Sequence, residues 1–425
     1  MLTRNHKVIT HNDKWFTRFI NNLNPNPLHL PPKTIRLLYA EGVIPNFRYG
    51  TAVQLSADPN IWDLTYDNSN WSHLLSEHYR DNRGELLEIL GANAEGVINM
   101  YAFCWECHEL RKTVYFDTSA VTTFEHAFDR CYKLQEIPPF DTHNVTTMRC
   151  AFDECYSITS IPLLDTSKVT DMWDMFFGCK ELREIPKFNT SNVTNMGRMF
   201  IGCAKLNYVP FLDTHNVTNM GHMFAECYSL TTIPHLDTSN VTIMSGMFYN
   251  CYSLLYVPLF NTSNVITMNS MFYGCESLIS VPEFDTSNVT DMADMFNRCT
   301  NLSFVPLFDT SNVTDMHSMF YKCETITTVP LYDTSNVTDF QFFMGDCHAL
   351  TALPYFDMSS AINVESAFYE TNHVQSGALA LYNQLSTLPT VPTYSIYTFY
   401  HSGYNTETGY AELQQIPRAW GGLAS

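Results

Sequence analysis

Thirteen cysteines and a column of aspartates are the residues of this 425-residue chain whose types and spacing could do chemistry. Eleven of the cysteines, Cys107, Cys131, Cys155, Cys179, Cys203, Cys227, Cys251, Cys275, Cys299, Cys323 and Cys347, recur every 24 residues without a slip. A row of thiols could supply nucleophiles, metal ligands or disulfides. Cys104 and Cys107 add the CxxC spacing of redox and zinc sites. Beside them runs Asp117, Asp141, Asp165, Asp213, Asp237, Asp285, Asp309, Asp333 and Asp357, interrupted by Asn189 and Asn261. Carboxylates stacked about 5 Å apart repel unless neutralised, so this column could hold cations between units. The chain has no GxSxG, HExxH or phosphate-cradling glycine loop.

The period itself decides how these residues are positioned. A fixed interval in this range makes each unit one coil of a solenoid, whose apolar face is completed by its neighbours. An odd number of thiols in one buried column makes a poor disulfide framework, and buried free cysteine behaves as a small hydrophobe. Cys104 falls in the slot that holds Phe elsewhere and Cys107 in the Cys slot, with no second CxxC or histidine pair to complete a zinc set. Each Asp precedes a turn whose amides it can accept. The expectation is therefore no catalytic residue, no metal and no cofactor.

The coil Phe284 to Leu307 reads FDTSNVTDMADMFNRCTNLSFVPL. Val289, Met292, Met295, Phe296 and Cys299 share one face at helical spacing, which predicts a short helix. Asn288 stands where an N-cap belongs, with Asp291 three residues later. The recurrent Asn-Val-Thr glycosylation pattern is then a by-product of that cap. Val305 and Pro306 suggest a short edge-like strand. Coils stacked at roughly 4.8 Å would align these strands in a narrow parallel sheet opposite the helices, in a rod of about 50 Å. Phe284 and its column mates, from Phe116 to Phe356, are expected to fill a core corner.

Charge narrows the partners. Between residues 92 and 374 there are 32 acidic and 13 basic residues, so −19 of the formal −20 belongs to the array. Such a surface repels nucleic acid and anionic lipid. Residues 1–15 are polar and no apolar run approaches membrane-spanning length, so neither export by signal peptide nor membrane insertion is expected.

Both ends depart from the pattern, as capping units do. Ala94 to Cys107 is a worn coil, and Thr371 stands where a cysteine is due. Pro25 to Pro32 is a proline-rich linker, and Thr34 to Leu55 has strand-like runs broken by Gly42, Pro45 and Gly50. Trp71 to Leu90 reads as a helix that seals the core with Leu74, Leu75, Leu86, Leu87 and Leu90. Ala378 to Leu385 is a short amphipathic segment, and the tyrosine-rich Tyr394 to Tyr410 suggests a hairpin cap. The division is 1–91 for attachment and capping, 92–374 for the solenoid and 375–425 for the C-terminal cap.

A partner must be read where the repeat varies, between the Leu and the Val or Ile and just after the Pro. Tyr208, Phe211, His235, Tyr256, Phe304 and Tyr355 occupy such positions. An exposed aromatic row there could stack sugar rings or anchor a protein. The competing expectation is burial, because a leucine-rich register LxxLxL would turn the position after Pro inward.

Units of the form FDTSNVTDMxxMFxxCxxLxxVP resemble the BspA-like leucine-rich repeat family over about 265 residues. The flanks WDLTYDNSNW, LLEILGAN and AELQQIPRAW are similar to flanks of BspA-like proteins in gut bacteriophages. The resemblance implies an α/β repeat solenoid, a right-handed leucine-rich-repeat superhelix of 24-residue coils, each a short parallel strand plus a short helix. It also implies adhesion rather than catalysis. The expectation is a virion protein, a tail fibre or other appendage. It would bind other virion proteins through its N-terminal region and a bacterial surface glycan or protein through its solenoid, with a homo-oligomer possible. A structural virion component and a cellular surface adhesin are the alternatives.

Overall fold

The computed structural model describes residues 30–45, 47, 50–66, 68–76 and 85–425. Residues 25–29 of the Pro25 to Pro32 linker and the first 29 residues of the attachment segment lie outside them. The array forms the predicted stacked solenoid, but its walls are not a helix and a sheet. Among the described residues no helix forms within the repeats, and none is long and apolar enough to cross a membrane.

The coil from Phe284 shows what replaces the helix. Met295, Asn297 and Cys299 donate their N–H groups three residues back, to the carbonyls of Met292, Asp294 and Phe296, at 3.2, 3.1 and 3.0 Å. Alternate residues Met292, Asp294, Phe296 and Arg298 donate instead to the following coil, at Asp315, His317, Met319 and Tyr321, at 2.7 to 3.1 Å. Asp294 and Arg298 adopt left-handed φ of 57° and 62°. The segment is a ribbon of consecutive reverse turns. An apolar set at spacings of three and four serves such a ribbon as well as a helix. The neighbouring coil decides between them by accepting the donors that an α-helix would use internally. Each left-handed non-glycine residue costs roughly 1–2 kcal/mol, which the added inter-coil bond helps to offset.

The parallel ladder also runs elsewhere than expected. Parallel bridges link Thr123, Thr147, Asp171, Asn195 and Asn219 and continue through Asp291, Asp315 and Asp339, so the narrow sheet lies on the Asn-Val-Thr-Asp segment. There Thr290 N–H donates to Ile266 O at 3.0 Å. The Val-Pro segment makes little more than one rung per coil, such as Ser303 N–H to Ile279 O at 3.1 Å, since its proline has no N–H to add. Asn288 caps nothing: its Nδ2 reaches back to Ser263 O at 2.8 Å, and the same rung recurs at Asn264, Asn312 and Asn336. Thr286, almost wholly buried, donates Oγ1 to Asp309 O at 2.7 Å in a column that runs from Thr118 to Thr334.

Inside, the Phe284 column is buried as expected, and a second phenylalanine column runs beside it. Phe224, Phe248, Phe272 and Phe296 stack at centroid distances of 5.6 to 5.8 Å. All thirteen cysteines are buried. The ladder thiols are more than small hydrophobes: Cys299 Sγ donates to Phe272 O at 3.0 Å, and the pattern holds from Cys107 to Cys347. Cys104 occupies the Phe slot, fully buried, and its carbonyl accepts Cys131 Sγ at 3.1 Å.

Five strands cap the front: β1 Thr34–Tyr39, β2 Thr51–Leu55, β3 Asp58–Thr65, β4 Leu86–Asn93 and β5 Lys112–Thr113, in the order β2-β3-β1-β4-β5. The strand-like runs before the array are thus β1 and β2. Among the described residues of Trp71 to Leu90 no helix forms, 77–84 lying outside them; Leu86 onward is β4, paired antiparallel to β1 and parallel to β5. Pairing partners distant in sequence overrode the local helical spacing. Trp71, Leu74, Leu75 and Leu86 still seal the end of the core, and Trp71 stacks on Phe103 at 5.8 Å. Because β5 bridges on to Glu136, the cap sheet runs into the Val-Pro wall.

At the back, the amphipathic segment is helix α1, Ala378–Ser386, which buries Ala378, Leu381 and Leu385. The hairpin expected from Tyr394 to Tyr410 is instead one more turn ribbon followed by helix α2, Glu407–Leu413. Val364 and Phe368 donate to Tyr394 and Thr398, and Phe399 stacks on Phe368 at 5.5 Å. The cysteine column continues as hydroxyls: buried Thr371 donates Oγ1 to Ser402 Oγ at 2.8 Å.

Candidate binding face

The variable positions singled out on the Val-Pro wall face solvent. Tyr208, Phe211, Tyr256, Phe304 and Tyr355 are 54 to 61 % exposed, and His235 is exposed as well. The inward turn that an LxxLxL register implies at the position after Pro does not occur. From Phe211 to Tyr355 that position is exposed in every coil, between a Pro and a buried corner residue. The buried Phe column fills the corner, so its neighbour in the extended chain must point out.

Reading by aromatic type alone missed half of this surface. Leu259, Leu307 and Leu331 are as exposed as the aromatics and share the post-proline slot with Phe211 and Tyr355, and Ile279, next to buried Leu278, is equally exposed. Register would have found them. Leu259, Leu307, Leu331 and Tyr355 fall at the post-proline position, while Tyr208, Tyr256 and Phe304 fall two residues after the buried Leu. Together they form a strip of apolar side chains on one wall, a concentration that monomer surfaces do not ordinarily carry without a partner. Lys187 lies over the Phe211 ring at 5.5 Å, the approach of a cation to an aromatic face.

Two residues beyond each post-proline position stands the aspartate column, partly exposed from Asp117 to Asp213 and exposed from Asp237 onward. Every member accepts the amide two residues on, from Ser119 N to Asp117 Oδ1 at 2.9 Å through Ser359 N to Asp357 Oδ1 at 2.9 Å. The asparagines at 189 and 261 make the same contact. Serine hydroxyls add a second bond, as Ser287 Oγ to Asp285 Oδ1 at 2.7 Å. Hydrogen bonding holds Asp285, Asp309 and Asp333 below the usual carboxylate range, Ser287, Ser311 and Ser335 being the leading causes. Asp213 and Asp237 shift the same way through His215 and Ser239. At these five aspartates the turn bonds outweigh repulsion from their neighbours, which favours the ionised form. Each carboxylate keeps acceptor capacity on its other oxygen. The wall thus presents flat apolar faces bordered by fixed anionic acceptors.

A family model described as "Mycoplasma protein of unknown function, DUF285" matches residues 75–182, 151–256, 179–283, 231–304, 252–327 and 275–382. Among solved structures the chain is similar to a leucine-rich repeat protein from Eubacterium ventriosum, at 16 % identity and a TM-score of 0.37, over 63 % of this chain and 84 % of that one. It is also similar to the functional domain of InlJ from Listeria monocytogenes, described as including a cysteine ladder, at 12 % identity and a TM-score of 0.24, over 72 % and 68 % of the two chains. A comparison with curated protein sequences finds no match.

Proposed function

Since the chain belongs to the DUF285 family of BspA-like repeat proteins, matched from residue 75 to residue 382, we propose that it is a non-enzymatic adhesion protein whose Val-Pro wall binds a bacterial surface glycan. The observation that carries this reading is the exposed strip from Tyr208 to Tyr355 bordered by ionised aspartates. Sugar rings present apolar C–H faces and hydroxyl rims. Aromatic and aliphatic side chains can cover the former, while carboxylates accept from the latter. A surface protein with an apolar patch and basic rim fits the same wall by charge. We take the superhelix as right-handed with 24-residue coils, as the family resemblance implies.

The carrier we propose is a phage virion, in a tail fibre or other appendage. The likeness of WDLTYDNSNW, LLEILGAN and AELQQIPRAW to flanks of phage-encoded relatives motivates this, and the N-terminal region would dock to other virion proteins. A glycan array and whole-cell binding with the purified chain test adhesion. Binding that falls at least tenfold in a Tyr256→Ser, Phe304→Ser variant supports it, and the absence of binding to any host surface overturns it. Mass spectrometry of purified particles tests the virion assignment separately.

A further inference from the structure

The turn-ribbon wall, opposite in role to the binding face, carries a cluster that the repeat grid does not explain. Cys150 lies off the cysteine ladder, in the left-handed column that holds Asp174 one coil on. Cys150 Sγ and carboxylate oxygens of Asp153 and Asp174 lie within 4.8 Å of one another. Cys150 is 5 % exposed and Asp174 6 %. The ladder thiols each donate to a carbonyl, whereas no hydrogen bond is made by Cys150 Sγ among the described residues. Asp153 Oδ1 is buried without a hydrogen bond and, among the described residues, has no cation within ion-pair distance. Asp174 Oδ1 has Arg198 Nε at 3.1 Å without an aligned hydrogen bond. Asp129, one coil back in the Asp153 column and 4 % exposed, leaves its own Oδ1 buried and unbonded.

We propose that Cys150, Asp153 and Asp174 bind a divalent transition-metal ion of the zinc class. A buried thiol and carboxylates drawn together are costly in their ionised forms, and a bound cation would neutralise them. One thiolate with two carboxylates suits zinc or cobalt, while calcium and magnesium prefer oxygen alone. Metal–sulfur and metal–oxygen bonds of about 2.3 and 2.0 Å require donors about 3.5 Å apart, so closure needs about 1 Å of side-chain rotation. Three protein donors leave a position for water. The site does not depend on the adhesion reading.

The full chain, stripped with chelator, is titrated with Co²⁺ and followed in the near ultraviolet for the thiolate-to-cobalt charge-transfer band. We expect one cobalt per chain, displaced by Zn²⁺, with the band lost in Cys150→Ser and affinity at least tenfold weaker in Asp153→Asn. Cys150→His is the folding control, because His126 and His222 occupy the same column with φ of 55° and 54°. It should bind cobalt without the sulfur band. No band in the parent, a band that survives Cys150→Ser, or unchanged affinity in Asp153→Asn each overturns the site.

Discussion

Replacing Cys251 separates two accounts of the cysteine ladder. Its side chain is fully buried and Sγ donates to Phe224 O at 3.0 Å. That carbonyl also accepts the Cys227 N–H at 3.2 Å, so losing the thiol leaves only its second lone pair unused. Cys251→Ala forfeits about 0.8 kcal/mol of transfer free energy for a group the size of one methylene. A void of about 20 Å³ adds about 0.5 kcal/mol, and the hydrogen bond about 0.5–1 kcal/mol. The expected loss is about 2 kcal/mol. Cys251→Val refills the space but not the bond, and should still cost about 1 kcal/mol. Urea denaturation followed by circular dichroism gives the totals. Hydrogen exchange at residues 224 to 275 localises the loss, since coils contact only their neighbours. A valine variant as stable as the parent refutes the thiol's role as donor. An alanine variant within 0.5 kcal/mol of the parent refutes the packing argument as well.

Burial raises the Cys251 thiol well above its ordinary range, so it should resist a thiol reagent until the protein unfolds; reaction in the native state contradicts the burial. Thr286→Val keeps shape but strips Asp309 O of its buried donor, and should cost about 1–2 kcal/mol by the same urea assay. Tyr256→Ser and Phe304→Ser should each change stability by less than about 0.5 kcal/mol, because these side chains are exposed; a larger loss places them in the core. Hydrogen bonds to Asp294 and then Asp315 raise His317 to about 10. Its stabilisation is therefore complete below pH 6.5 and lost as pH climbs toward 10. Discounted for its exposure, the difference between parent and His317→Gln should shrink by about 1 kcal/mol over that range, and a difference that grows with pH contradicts the pairing.

Much of the exposed strip was legible because exposure in a repeat follows register. Tyr208, Tyr256 and Phe304 stand beside buried packing positions, and the chain's alternation turns them out. Leu259, Leu307 and Leu331 were equally legible by register but not by residue type. The Cys150 cluster was not legible at all. Its donors come from adjacent coils, and only the stacking distance says that Asp174 returns beside Cys150.

The sequence by itself determined that the chain is a stacked array and which columns are buried. Those follow from period and hydrophobicity, which are properties of one coil. Tertiary structure decided where each backbone donor goes. Met292, Asp294, Phe296 and Arg298 find acceptors in the next coil, so the helical pattern became a turn ribbon. Asn288 became a rung, Leu86 to Asn93 joined a sheet rather than a helix, and the thiol column gained carbonyl partners. A hydrogen bond between coils has no local signature, because its two ends lie some 24 residues apart and meet only when the stack closes.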